Sequence, residues 1–332
     1  GRGVSFEMVI IDCLQYSNWS RKIFEEINSG GISAVHVTIS YHENFREVVL
    51  NIEKWNEYFE KYSDMIFLGR CGNDVHRAIK EKRTAIFLGF QNPSPIEEDL
   101  GLIEICHTLG VRFMQLSYNN QSLFASGCYE KNDNGITRFG KQLISEMNRV
   151  GMVVDMSHSG EQSTLDAIQI SSRPIAITHA NPAWWHNALR NKSDSVLKAL
   201  TNSGGMLGFS IYPHHLDQGS SCTLLNFCKM IKEASQRYGI DQLGIGSDLC
   251  QDQEDNVVGW MRNGRWTKDV DFGEGSSSLP GFPSQPEWFK SNKDFNLIQR
   301  GLYEVGFSKV DVEAIMGENW LRFFKDSFGP AS

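Results

Sequence analysis

Apolar, β-rich runs alternate along the chain with stretches of helical length in which apolar residues recur every three or four positions. Eight runs stand out, at residues 8–12, 32–40, 84–90, 111–118, 152–158, 175–179, 205–212 and 243–248; a ninth, 65–69, reads as a small extra strand. They are nearly continuous in apolar character rather than alternating, as expected of strands covered on both faces in a parallel sheet. The stretches between them read as amphipathic helices. Residues 139–150 place Leu143, Ile144, Met147 and Val150 on one face, and 193–202 do the same with Val196, Leu197 and Leu200. Residues 18–27 carry Ile23 and Ile27 after a Ser/Asn start, and Gly110, Gly151 and Gly204 stand where helix C-termini favour glycine. Eight β-then-α units in one chain predict a closed (β/α)8 TIM barrel rather than an open sheet, with residues 1–332 forming a single domain.

One segment breaks the rhythm. Residues 251–293 follow the eighth run and are rich in Gly, Ser, Pro, Asn and Trp. They are too long for an ordinary connection, so a lid over a site is expected, with a surface loop as the alternative. Trp260, Trp266, Phe272, Phe282, Trp288 and Phe289 supply apolar mass for packing.

Bulk chemistry narrows the function classes. The 332 residues are 40% hydrophobic and 22% charged, with a formal net charge of −8 and no basic run, which argues against nucleic acid as a partner. No stretch reaches the roughly 20 apolar residues of a membrane span, and Gly1-Arg2-Gly3-Val4-Ser5 shows no signal-peptide core. Seven scattered cysteines with no CxxC pair point to free thiols in a reducing cytosol; a Cys222–Cys228 pair is the alternative.

Candidate chemistry lies at the ends of the predicted strands, where barrels of this kind carry their sites. The fifth run ends with Asp155 and His158, the sixth with His179, and the eighth with Asp248. Two imidazoles from neighbouring strands and a carboxylate from the far side of the mouth can converge on one ion, zinc for instance, with a position left for water. Each is also compatible with a structural, hydrogen-bonded role, which is the reading for Asp155. Cys13 and Cys250 follow neighbouring strands but read as packing residues. His214 and His215 are possible replacement ligands, and Trp184-Trp185-His186 lines a pocket wall or simply packs. His36, His42, His76 and His107 show no clustering.

Several segments resemble the membrane (renal) dipeptidase family in order and spacing. They are Asp155-Met156-Ser157-His158, Thr178-His179-Ala180-Asn181, Arg190-Asn191-Lys192-Ser193-Asp194, Gly244-Ile245-Gly246-Ser247-Asp248 and Gly317-Glu318-Asn319-Trp320-Leu321-Arg322, together with the stretch from Phe139 to Arg149. The resemblance extends from Val9 to Phe324. It implies a (β/α)8 barrel that holds two zinc ions, hydrolyses dipeptides and forms a homodimer. It places His158 and His179 at the second zinc, Arg190 on the substrate carboxylate, and Asp248 near the first zinc as a candidate base. The departures are specific: the family's opening His-x-Asp pair is replaced by Leu14-Gln15-Tyr16, its bridging glutamate by Gln91, and its substrate-binding histidine by Tyr118.

Two zinc ions carry four positive charges, and this chain retains one of the carboxylates that would offset them, Asp248. At most one metal is therefore expected, held by His158, His179 and Asp248. Asp248, Tyr118 and Tyr16 are the candidates for proton transfer, and Arg190, Gln91, Tyr118 and Asn119 for substrate contact. The expected function is hydrolysis of an amide or related C–N bond in a small molecule bearing a carboxylate. Two alternatives stay open: a metal-free relative that binds a small metabolite, and a metal-independent lyase or isomerase.

Overall fold

The computed structural model describes residues 8–330; the Gly1–Ser5 stretch considered above lies outside them. Nine parallel strands are present: β1 (Ile11–Gln15), β2 (Ala34–Ser40), β3 (Ile66–Leu68), β4 (Thr84–Phe90), β5 (Val111–Gln115), β6 (Val153–Asp155), β7 (Ala176–Ile177), β8 (Met206–Phe209) and β9 (Leu243–Ile245). Pairing runs β2-β1-β9-β8-β7-β6-β5-β4, and β2 also pairs with β4, so eight strands close into a ring. β3 pairs with the first half of β4, ahead of the half that takes β5, and so lies beside the ring rather than in it. This is the expected (β/α)8 barrel, extra strand included.

Most strands are shorter than the apolar runs, β4 coincides with its run, and the first keeps its length but is displaced toward the C-terminus. Ladder pairing begins at Ile11 opposite Ala34, so Cys13, Leu14 and Gln15 fall inside β1 rather than after it. At the mouth, side chains take over from ladder bonds. Thr178 N donates to Asp155 Oδ1 (3.2 Å) and His179 N to Ser157 Oγ (3.2 Å), which is why the sixth apolar run contains a strand of only two residues.

Helices fill the intervals with local signals in place. Thr137 and Ser193 cap the helices Arg138–Val150 and Asp194–Asn202, and Asn44 with Glu47 makes a reciprocal capping box for Phe45–Lys61. Gly151 ends its helix at φ +83°, a conformation that costs glycine little. The C-terminal helix Asn319–Ser327 stoppers the far end of the barrel. Its Trp320 and Phe324 are fully buried, Phe324 packs on Phe87 and Phe113, and Trp320 Nε1 donates to Ile245 O. With that end closed, the open face is the one where the strands' C-termini gather.

The 251–293 segment crosses this open face. Its helix Asn256–Asn263 brings Trp260 and Met261 against a cluster of Tyr16, Tyr41 and Tyr118, together with Phe282. Its far end is tied to β1: Asn292 Oδ1 accepts from Gln15 Nε2 (2.6 Å), and Asn292 Nδ2 donates to Gln251 Oε1 (2.6 Å). Trp288 and Phe289 are buried, whereas Trp266 is 67% exposed.

Two glycines at the tight side of the ring hold β7, β8 and β9 together. A Cβ at Gly246 would sit 1.6 Å from Thr178 O, and one at Gly208 would sit 2.0 Å from the same oxygen. Gly246→Ala must push the β7 backbone aside and is expected to cost about 3 kcal/mol. Gly259→Ala, on an open helix face, is expected to be neutral or to stabilise by up to about 1 kcal/mol. Urea unfolding midpoints of the two variants check this contrast.

Candidate active site at the barrel mouth

Asp12 builds one wall of the site. Its carboxylate accepts from Ser247 N (2.7 Å), Ser247 Oγ and Gln15 Nε2 (2.8 Å), which pins the turn after β9 to β1. That turn presents Asp248 in the left-handed region, at φ +61°, a strained conformation for an aspartate and one found often at functional positions. Burial pushes the Asp12 carboxyl up to about 6, against the pull of those hydrogen bonds. Burial pushes Asp248 up to about 8, with Arg190 pulling the other way, so Asp248 carries its proton near neutrality.

Asp155 builds the opposite wall. Its two oxygens accept from the Ser157 and Thr178 hydroxyls at 2.6 Å each, and the carboxylate plays the structural part expected of it. Because the Thr178 hydroxyl proton goes to Asp155, its oxygen is left to accept from His179 Nδ1–H at 2.8 Å. His158 Nδ1 lies 2.6 Å from Asn119 Oδ1, which likewise takes a proton from the ring. Both rings therefore turn bare Nε2 atoms inward, 3.2 Å apart. Gln91 donates its amide to Thr38 Oγ1, leaving Oε1 free, 2.8 Å from His158 Nε2. Three lone pairs thus face one another. The donor in reach of them is Arg190 Nη2, 3.3 Å from His158 Nε2. Burial first, then Arg190, holds both imidazoles well below their usual pKa and hence neutral.

This geometry tests which metal centre the residues can hold. Two nitrogens bound to one ion at about 2.1 Å and a tetrahedral angle lie about 3.4 Å apart, so the observed 3.2 Å is near the span of one ion, with the Gln91 oxygen as a neutral third donor. A second ion does not fit. Leu14 offers no donor, Asp12 is spent on Ser247 and Gln15, and Arg190 already places a positive charge at the site. The expected triad is corrected as well: among the described residues no three His, Cys, Asp or Glu side chains are placed to share an ion, so Asp248 stands apart from the two imidazoles.

Arg190 is 2% exposed. Its guanidinium donates to Ser157 O (2.5 Å) and His179 O (3.2 Å), and no carboxylate is among its hydrogen-bond partners. It lines a tight cavity of about 50 Å³ together with Tyr16, Tyr118, Asn119, His158 and Asp248, space for a few water molecules. Burial raises the Tyr16 and Tyr118 phenols above their usual range, so both remain hydrogen-bond donors, and the Tyr16 hydroxyl is buried without a partner. Tyr118 stacks on His158 at 4.1 Å. Gln91 is behind the histidine and does not line this cavity.

His214 and His215 line the cavity rim, with His215 Nδ1 bonded to Ser210 Oγ (2.8 Å). Trp184 and Trp185 point away from it, donating to Tyr238 and Asn226. All seven cysteines are free, and burial pushes Cys13 and Cys250 up, Cys250 to about 12, away from thiolate chemistry. Sequence reasoning missed Asp12, Tyr129, Tyr212, Arg262 and Glu274, all of which shape the site. Asp12 and Tyr212 end apolar runs and were findable on that ground; Arg262 and Glu274 lie in the aperiodic segment and were not.

Comparison with known proteins adds a lineage. The family model for membrane dipeptidase (peptidase family M19) matches residues 19–261. A dipeptidase of Claviceps purpurea, tcpJ, is 24% identical over 289 residues, covering 86% of this chain and 61% of the relative. A dipeptidase of Clonostachys rogersoniana, verJ, is 28% identical over 215 residues, covering 64% and 55%. The chain thus spans about three fifths of the length of these curated relatives. Among solved structures, an amidohydrolase from Pseudomonas aeruginosa superposes with a TM-score of 0.92 at 30% identity, over 98% of both chains. A metallopeptidase from Rhodobacter sphaeroides, liganded with a phosphinate mimic of L-Ala-D-Ala, shares the fold at TM-score 0.77 and 15% identity, over 96% of this chain and 99% of that one.

Asp12→Asn would set an amide N–H against the Ser247 and Gln15 donors. It is expected to lower stability by about 2 kcal/mol in urea unfolding and to loosen the turn that carries Asp248.

Proposed function

The chain belongs to the membrane dipeptidase family, a family of metallopeptidases, and from that premise we propose that it hydrolyses an amide or related C–N bond in a small molecule with a free carboxylate, using at most one divalent ion. The observation that carries this reading is Arg190: a buried guanidinium lining a tight cavity, with only neutral groups as its hydrogen-bond partners among the described residues. An anionic ligand would supply the missing counter-charge. Guanidinium is suited to the task because its planar fork grips a carboxylate at two points and fixes its orientation.

The remaining groups then have distinct parts. Asp248, protonated near neutral pH, stands in the same cavity and can pass a proton to a departing amine and take one from water. Tyr16 and Tyr118 offer phenolic protons to an oxygen that gains negative charge. Asn119 and Thr178 hold the His158 and His179 rings in the tautomers that turn Nε2 inward. An ion held by those two nitrogens, with Gln91 Oε1, would supply Lewis acidity. The 251–293 segment contributes Val258, Met261, Arg262 and Glu274 to the cavity lining, and we read it as the lid that keeps water out.

A second reading, binding without hydrolysis and without metal, is favoured by one contact. Arg190 Nη2 is already the partner of the inward-facing His158 nitrogen, so the site carries a positive charge of its own where an ion would go.

Assays with simple dipeptides and with their C-terminal amides separate these cases. The hydrolase reading expects turnover of the free acids and about 100-fold poorer kcat/KM for the amides. Arg190→Ala is expected to impose the same penalty on the acids and none on the amides. Asp248→Asn is expected to lower kcat by at least about 100-fold with KM little changed. Arg190-dependent binding of the acids without turnover, even with added zinc, would establish the second reading. Indifference to the C-terminal carboxylate would overturn both.

A further inference from the structure

The cavity beside Arg190 holds about 50 Å³, too little for a whole dipeptide, let alone a larger substrate. Next to it lies a much larger hollow of about 570 Å³, between the loops after β4 and β5 and the 251–293 segment. Tyr118 lines both, so its ring is the partition between them. The larger hollow has apolar walls from Pro93, Leu123, Phe124 and Trp266, and Glu97 and Glu98 at its edge; no Lys or Arg lines it. Leu123 and Trp266 are 51% and 67% exposed there, and Ser94 Oγ is buried within its wall without a hydrogen-bond partner. The two cavities therefore differ in charge: Arg190 and Arg262 stand with Asp248 and Glu274 in one, whereas the other has carboxylates and an indole face at its edge and no Lys or Arg.

We infer that the larger hollow is a specificity subsite for the acyl side of the substrate, and that it takes an apolar arm ending in a protonated amine. The inference rests on the carboxylate reading of Arg190. With the substrate carboxylate at Arg190 and the reacting bond between Asp248 and Tyr118, the acyl residue's side chain passes the Tyr118 ring into the hollow. The walls cover its methylenes, and Trp266, Glu97 and Glu98 receive the ammonium, since an aromatic face and carboxylates together favour a cation.

The test compares lysyl-glycine, norleucyl-glycine and glycyl-glycine on the full chain, reading Kd by calorimetry, or KM where turnover occurs. Lysyl-glycine is expected to bind at least about 10-fold tighter than glycyl-glycine, with norleucyl-glycine between them. Trp266→Ala combined with Glu97→Gln and Glu98→Gln should erase the lysyl advantage and leave glycyl-glycine unchanged. Equal affinity for all three, still dependent on Arg190, overturns the subsite while the carboxylate reading stands. Norleucyl-glycine matching lysyl-glycine overturns the ammonium assignment. Failure of all three to bind, or binding indifferent to Arg190→Ala, overturns the subsite and the carboxylate reading together.

Discussion

Lone pairs aimed at one another repel unless something positive lies between them. Here the inward-facing Nε2 of His158 lies 2.8 Å from the amide oxygen of Gln91 and 3.2 Å from Nε2 of His179, and the groups that impose this are themselves committed to hydrogen bonds. Asp155 takes the Thr178 proton, Thr178 takes the His179 proton, Asn119 takes the His158 proton, and Thr38 takes the Gln91 amide proton. Such a chain of bonds is expensive to build and makes a cation-seeking point at the end of β4, β6 and β7. The guanidinium of Arg190 is the positive group the protein itself provides.

The charge count follows from that point. A two-ion centre needs anionic ligands, and the chain has replaced or diverted them. Gln91 is neutral, Leu14 has no donor, and Asp12 serves the Ser247 turn. What remains is one carboxylate in the cavity, Asp248, held protonated near neutrality by its burial. It stands apart from the imidazoles, which suits proton transfer better than ligation. On this charge count we propose a site that takes at most one ion and an anionic substrate, an inversion of the balance expected where two cations dominate. The scarcity of space beside Arg190 is the reason we propose the roomier hollow across Tyr118 as the place for the rest of a substrate.

Much of this was legible before any coordinates. The strand count, the extra strand at 65–69, the helix start at Ser193 and the C-cap at Gly151 follow from local signals, because burial on both faces and helix capping each leave a one-dimensional trace. His158, His179, Asp248 and Arg190 were found as strand-end residues and by family resemblance, and all of them gather at the mouth. What did not show was their grouping. That Asp248 stands apart from the imidazoles depends on a left-handed turn whose Ser247 is pinned by Asp12 from 235 positions away in the chain, a tertiary bond with no sequence period. Nor could composition show that Gln91 would face the histidine rather than the cavity, or that Arg262 and Glu274 of the aperiodic segment would line it.

The mouth is expected to offer one cation position, between His158 and His179, and no second. Crystals grown with excess zinc and measured for anomalous scattering at the zinc edge address this directly. A single-ion site gives no more than one peak per chain in the barrel mouth, within about 2.1 Å of both Nε2 atoms and absent from His158→Ala crystals. Two peaks a few ångströms apart, or a single peak ligated by Asp248, would contradict it.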